Sequence, residues 1–193
     1  MIHELYSTGP YDEVQPEIRE VYEDIMETMG IPFVPNFFKA QGHDYELLRG
    51  TWDTVQATLY HGELPRVLKE LIIYVISEQH SCRYCSDIHG MIACRLDPSL
   101  NQDVLLELTM TGHTSRLSEG ELLAINLASR AALYKQPPTR KELRVLSEAG
   151  YTTHDIEEIF ALAELANLLN TIADISEIDL DDEVNYWSNE EEY

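Results

Sequence analysis

Between Glu70 and His89 the chain reads ELIIYVISEQHSCRYCSDIH, which holds the residue types that a redox cycle on sulfur needs. Cys82 and Cys85 are separated by two residues, close enough to form a disulfide with each other. His89 follows four residues after Cys85, where it can move a proton, and Glu70 offers a carboxylate able to orient the imidazole. On a helix, positions 82, 85 and 89 are spaced i, i+3 and i+7, so the two sulfurs and the ring are expected on one face. The reactive form of cysteine is the thiolate, and a helix amino terminus and a neighbouring imidazolium both favour it. A thiolate that attacks a peroxide becomes a sulfenic acid, and a second thiol within reach condenses with it to a disulfide, releasing water. Helix position argues for Cys82 as the attacking sulfur, while proximity to His89 argues for Cys85. Tyr84, between them, is either a weak acid near the sulfurs or a packing residue.

The same residues suit a metal site less well. Cys82, Cys85 and His89 make three ligands, with His80 or Glu70 as a fourth, but the second ligand pair usual in zinc fingers and ribbons is missing. Covalent haem attachment needs a histidine directly after the second cysteine, and Ser86 stands there. With no Gly-rich dinucleotide fingerprint and no Walker loop, no cofactor is expected and the electrons must come from a partner. Cys94 reads as a small buried residue. Helical phase leaves Glu70 at the margin of an apolar face, so spacing alone does not bury it.

These residues must be positioned by helices. Segments of helical period, each opened by a capping signal, follow one another from Pro16 to Ile172, and no stretch sustains a period of two, so the class is all-α. Pro16 opens a helix ending near Gly30, a short apolar turn follows at Phe37 and Phe38, and a further helix is expected from Asp44 to Tyr60. Pro65 then starts a helix whose apolar face (Leu64, Val67, Leu68, Leu71, Ile72, Val75, Ile76) runs to His80 and should be deeply buried. Ser81 is the expected N-cap of the next helix, which carries the cysteines in its first turn and stops before Pro98. Capping boxes at Ser118 with Glu121 and Thr139 with Glu142, and a similar pair at Thr152 with Asp155, start the last three helices. The final one is apolar nearly all round, suiting a central helix or one packed against another subunit.

At 193 residues, 44% of them hydrophobic, the chain can bury one good core and reads as one domain. Within it, residues 1–30 form an amino-terminal helical extension, 31–180 the helical domain and 181–193 an acidic tail. A net charge of -22 repels a phosphate backbone over most of the surface, which argues against nucleic acid as a partner. No apolar run approaches the roughly 18 residues of a membrane span. The first residues, MIHELYSTGPYDE, lack the basic and apolar regions of a secretory signal, and three cysteines are too few for a disulfide-stapled secreted domain, so the expected compartment is the cytoplasm.

Glu70, Cys82, Cys85 and His89, separated by eleven, two and three residues, resemble the signature of the alkylhydroperoxidase D-like group in the carboxymuconolactone decarboxylase superfamily. VPNFFKAQGHDYELLRG, LPRVLKELIIYVISEQHSCRYCSDIHG and LLNTIADISEIDL are similar to segments of its peroxidase-related members, so the resemblance covers about Ile31 to Leu180. It implies a helical bundle assembled as a homo-oligomer, a trimer or hexamer. The function expected is that of a thiol-dependent peroxidase or disulfide oxidoreductase, and the resemblance implies reduction of alkyl hydroperoxides recharged by an external dithiol, a thioredoxin-like or lipoyl-type carrier. By the same resemblance Cys85 attacks, Cys82 resolves, and Glu70 and His89 relay protons. Tyr84 stands where the better-known pattern has histidine. The alternatives are a lactone decarboxylase or related non-redox enzyme, which does not need the cysteine pair, and a metal-binding or scaffold protein on the same fold.

Overall fold

Capping residues and apolar stripes translate directly into the elements of the computed structural model, which describes residues 13–183; every regular element among them is a helix. In order they are α1 (Pro16–Met29), α2 (Asn36–Lys39), α3 (Tyr45–Val55), a π-helical turn (Gln56–Tyr60), α4 (Arg66–His80), α5 (Arg83–Leu96), α6 (Gln102–Thr111), α7 (Glu119–Tyr134), α8 (Arg140–Glu148) and α9 (Thr153–Ser176). Both expected capping boxes form, at Ser118 with Glu121 and at Thr139 with Glu142. Thr152 and Asp155 bond reciprocally in the same way, Asp155 N donating to Thr152 Oγ1 at 3.1 Å and Thr152 N to Asp155 Oδ2 at 2.7 Å.

Two expectations about boundaries are corrected. The helix expected from Asp44 to Tyr60 is α-helical only from Tyr45 to Val55, and its last five residues widen into the π-helical turn. Ser81 is not the N-cap of α5. It sits in the left-handed region at φ 62 and closes α4, with Ser81 N bonded to Glu78 O and Cys82 N to Ser77 O, the paired bonds of a Schellman ending. Cys82 itself, in extended conformation, is the N-cap of α5.

The described chain gathers into two compact units, one containing residues 13–55 and 172–183, the other residues 56–171. In the first unit, α1 buries Ile18, Val21, Tyr22 and Ile25 and α3 buries Leu48, Thr51, Trp52 and Val55, each set at the i, i+3, i+4, i+7 spacing of a single helical stripe. Trp52 meets Phe38 edge-on at 5.5 Å, and its Nε1 donates to Asp24 Oδ2 at 2.8 Å. The carboxy-terminal residues belong here because Asn36 N donates to Asp181 Oδ1 at 2.6 Å and Asn36 Nδ2 to Asp179 O at 3.2 Å. Of the acidic tail, residues from 184 onward lie outside the described residues.

The second unit is built around α4, in which every residue from Leu68 to Ser77 is buried. This helix packs most extensively on α5, then on α7, α6 and the π-helical turn. Each of Leu68, Leu71, Ile72, Ile73 and Ile76, all at 0–1% exposure, contributes about 1.5–3 kcal/mol by leaving water. The close approach of α5 to α4 depends on Gly90, where a Cβ would lie 3.0 Å from the Tyr74 ring. In the same unit α9 buries Ile159, Leu162, Ala163, Leu165, Ala166 and Leu169. By length and composition alone α9 is apolar enough to cross a membrane, and half of that apolar window is buried within the protein.

Candidate active site

Glu70 lies in the second turn of α4 with no exposure at all. A buried carboxylate needs partners to replace its lost hydration. Glu70 has one on each oxygen: His89 Nδ1 at 2.5 Å from Oε2 and Arg66 Nε at 2.5 Å from Oε1. Burial pushes the Glu70 carboxyl up, but the pull of His89 and then of Arg66 outweighs it and holds the group below the ordinary carboxylate value. Glu70 is therefore an ionised acceptor, so His89 Nδ1 carries the hydrogen and donates. In the neutral ring that leaves Nε2 with a lone pair for accepting a proton.

Cys82, Cys85 and His89 all lie at or near the start of α5. Cys85 is the third residue of α5 and His89 the seventh, an i, i+4 pair on one helical face. Cys82 lies just outside the helix as its N-cap, so the three residues do not form one continuous helical face. Both sulfurs are buried, at 1% and 2% exposure, and neither is in a disulfide. Cys82 Sγ lies 4.0 Å from the main-chain carbonyl of Asn170 on α9, the limit for a thiol donating to oxygen. Tyr84, between the cysteines, is buried in the first turn, and His89 is 8% exposed. Cys94, expected to be buried, is only partly so, and burial raises its thiol above the usual value. His80, the possible fourth metal ligand, is exposed, and among the described residues no group of three or more His, Cys, Asp or Glu is arranged to hold a metal ion.

Residues not singled out from the sequence complete the surroundings. Arg66 stacks over the Tyr60 ring with its guanidinium carbon 4.0 Å from the centroid. Lys69, one position before Glu70, is buried and paired with Glu158 of α9; it also donates to Thr58 O at 3.1 Å and to His61 O. Glu158 Oε2 in turn accepts from Glu63 N at 3.0 Å and Leu64 N at 3.2 Å, pinning the loop before α4. Breaking a buried pair of this kind costs about 3–5 kcal/mol, because the remaining charge is stranded. Ser77 donates to Asn170 Oδ1 at 2.8 Å, and both residues are fully or nearly fully buried. An arginine four residues before a glutamate is the signal that could have pointed to Arg66, and an asparagine among leucines in an apolar helix the one that could have pointed to Asn170.

Residues 45–96, from α3 through α5, match the carboxymuconolactone decarboxylase family model. No curated protein sequence is significantly similar to the chain. Among solved structures, the chain is similar to a peroxidase-related protein with an alkylhydroperoxidase AhpD core from Ralstonia eutropha JMP134, at 20% identity and a TM-score of 0.80 over 93% of both chains. It is also similar to a peroxidase-related protein from Silicibacter sp. TM1040, at 22% identity and a TM-score of 0.76 over 91% of both. The debrominase Bmp8, in complex with 2,3,4-tribromopyrrole, shares the fold at 18% identity and a TM-score of 0.72 over 91% of both. At these identities the likeness is one of fold, and it extends well beyond the stretch matched by the family model. That match contains the whole Glu70 to His89 segment, and the chain as a whole has the alkylhydroperoxidase D-like helical fold.

Proposed function

We propose that the protein is a thiol-dependent peroxidase that reduces alkyl hydroperoxides through Cys85 and Cys82. The observation that carries this reading is the 2.5 Å contact between buried Glu70 and His89, with His89 one turn beyond Cys85 on α5. His89 Nε2 takes the Cys85 proton, and the imidazolium formed is held by the Glu70 carboxylate. The thiolate attacks the outer peroxide oxygen: the S–O bond forms, the O–O bond breaks, sulfur is oxidised to sulfenic acid, and the alkoxide leaves with the proton from His89 as an alcohol. Cys82 then attacks the sulfenic sulfur, forming the disulfide and releasing water. An external dithiol, a thioredoxin-like or lipoyl-type carrier, reduces the disulfide by exchange and is itself oxidised.

The two cysteines differ in a way that supports this division of roles. Cys82 lies outside α5 with its sulfur against the main-chain carbonyl of Asn170. Cys85, nearer His89 in the same helix, is the better candidate for the thiolate. The reading also carries a homo-oligomer, a trimer or hexamer measurable by light scattering, and a reducing compartment such as the cytoplasm.

The test is turnover of an alkyl hydroperoxide with a dithiol reductant. Wild type should turn over, Cys85→Ser should be inactive, and Cys82→Ser should consume about one equivalent of peroxide and stop at the sulfenic acid. Full activity in both variants rules the reading out. Because a debrominase shares the fold, the same variants are to be assayed with 2,3,4-tribromopyrrole. Thiol-dependent turnover of that compound without peroxide turnover would move the substrate class. Turnover of a lactone insensitive to thiol alkylation, or stoichiometric zinc in protein purified without chelator, would favour the non-redox enzyme or the metal-binding protein.

A further inference from the structure

We propose that Arg66, stacked on Tyr60, is a positioning residue that keeps the Glu70 carboxylate ionised and fixed in orientation for its work on His89. The proposal deepens the peroxidase reading and rests on it for the purpose of the relay, although the electrostatics do not depend on which substrate is used.

Geometry comes first. His89 and Arg66 hold opposite oxygens of one carboxylate, at 2.5 Å each, so the group cannot rotate without losing a bond. At 0% exposure Glu70 has no water to stabilise its charge, and desolvation alone would favour the neutral acid. A neutral Glu70 could present a hydroxyl in place of an acceptor to His89 Nδ1. The ring would then change tautomer and lose the lone pair on Nε2 that the cysteine proton needs. A permanent cation beside the carboxylate prevents this, and Arg66 is that cation.

Among the described residues Arg66 is the cation whose ion pair with Glu70 the structure shows, and the neighbouring charges have other partners or are exposed. On α4 the neighbouring Lys69 is committed to Glu158 and to the carbonyls of Thr58 and His61. The π-helical turn brings the Tyr60 ring, and α5 brings His89. Arg130 of α7 is paired with Glu142 at 3.0 Å, Glu119 and Glu121 lie in the first turn of that helix, and Asp103 and Glu107 of α6 are exposed.

The Tyr60 face explains why this position suits arginine. The guanidinium side chain is 27% exposed, and a planar cation lying over an aromatic ring is held in place where a flexible ammonium is not. Tyr60 is placed by the π-helical turn, a widening often found at functional sites, and the loop after it is pinned by Lys69 and Glu158. The route from that pinned loop to the relay is thus Tyr60, Arg66, Glu70, His89.

The experiment titrates Glu70 directly by carbon NMR of labelled glutamate carboxyls, its signal identified by its loss in Glu70→Gln, alongside the acid limb of kcat/KM for an alkyl hydroperoxide. In Arg66→Met, both should move to higher pH by about one unit or more, the scale on which a lost charge partner shifts a carboxyl. Arg66→Lys should restore most of the difference. Tyr60→Leu, which leaves the charge but removes its platform, should move both in the same direction by less. A folded Arg66→Met protein with the wild-type Glu70 titration overturns the proposal. Should that variant not fold, a wild-type titration in Tyr60→Leu overturns it instead. If wild type reduces no peroxide, the peroxidase reading fails, but the NMR titration still decides the role of Arg66.

Discussion

A carboxylate with no exposure stays charged only where fixed partners replace water, and Glu70 has one on each oxygen. Its folded value lies below its unfolded one. Its contribution to stability is therefore complete above the ordinary carboxylate range and is lost as pH falls through the depressed folded value. Activity should follow the same group. Glu70→Gln keeps the shape but not the charge, so kcat/KM for peroxide should fall by about 10²–10⁴, the usual worth of a positioned acid or base, and the acid limb should vanish from the pH profile. A wild-type rate in that variant would remove Glu70 from the relay. The cysteines and His89 were legible in the sequence because spacing along one helix is a local property. The burial of Glu70 was not, since helical phase left it at the edge of the apolar face while the packing of α5, α6 and α7 on α4 closes over it. Arg66 went unnoticed because an arginine four residues before a glutamate is most often a solvent-exposed pair.

The element that matters most is the junction of α4 and α5, where two residues reverse the chain and deliver the cysteines. Ser81 carries the left-handed conformation at φ 62, and Cys82 serves both as the last hydrogen-bonded residue of the α4 ending and as the N-cap of α5. Serine is a favoured N-cap, so the sequence pointed one residue too early. A left-handed serine leaves no compositional trace, whereas glycine in that place would have announced the ending. The conformation costs a residue with a Cβ about 1–2 kcal/mol, partly offset in glycine by about 0.5–1 kcal/mol of extra chain entropy. Because Ser81 is exposed, Ser81→Gly should stabilise the protein by roughly 0.5–1 kcal/mol. Calorimetry should show the unfolding midpoint rising by about 1–4 °C for a chain of this length. A lowered midpoint would mean that the serine side chain contributes to the junction. The π-helical turn was equally hidden, since QATLY continues the preceding helical pattern and only the structure shows the widening that places Tyr60 beside Arg66.

At the scale of the whole molecule the dominant fact is charge, 35 acidic against 13 basic side chains for a net of -22, and it was fully legible because composition needs no fold. The division into compact units was not, since it depends on pairings such as Asn36 with Asp179 and Asp181, more than a hundred residues apart in sequence. Exposed ion pairs such as Arg144 with Glu148 are worth about 0–1 kcal/mol each and are weakened by salt. With so few cations, repulsion among the remaining carboxylates outweighs those pairs, and self-repulsion destabilises a compact state. Raising sodium chloride from about 0.1 M to about 1 M shortens the screening length from about 10 Å to about 3 Å, so the thermal midpoint at neutral pH should rise. Buried charges are screened far less. The Glu70 titration should therefore stay nearly fixed over the same salt range, separating surface electrostatics from those of the site in one series of samples. A midpoint that falls with salt would show that specific surface pairs outweigh the net repulsion. A Glu70 titration that shifts with salt as exposed carboxylates do would show that water and ions reach the relay in solution.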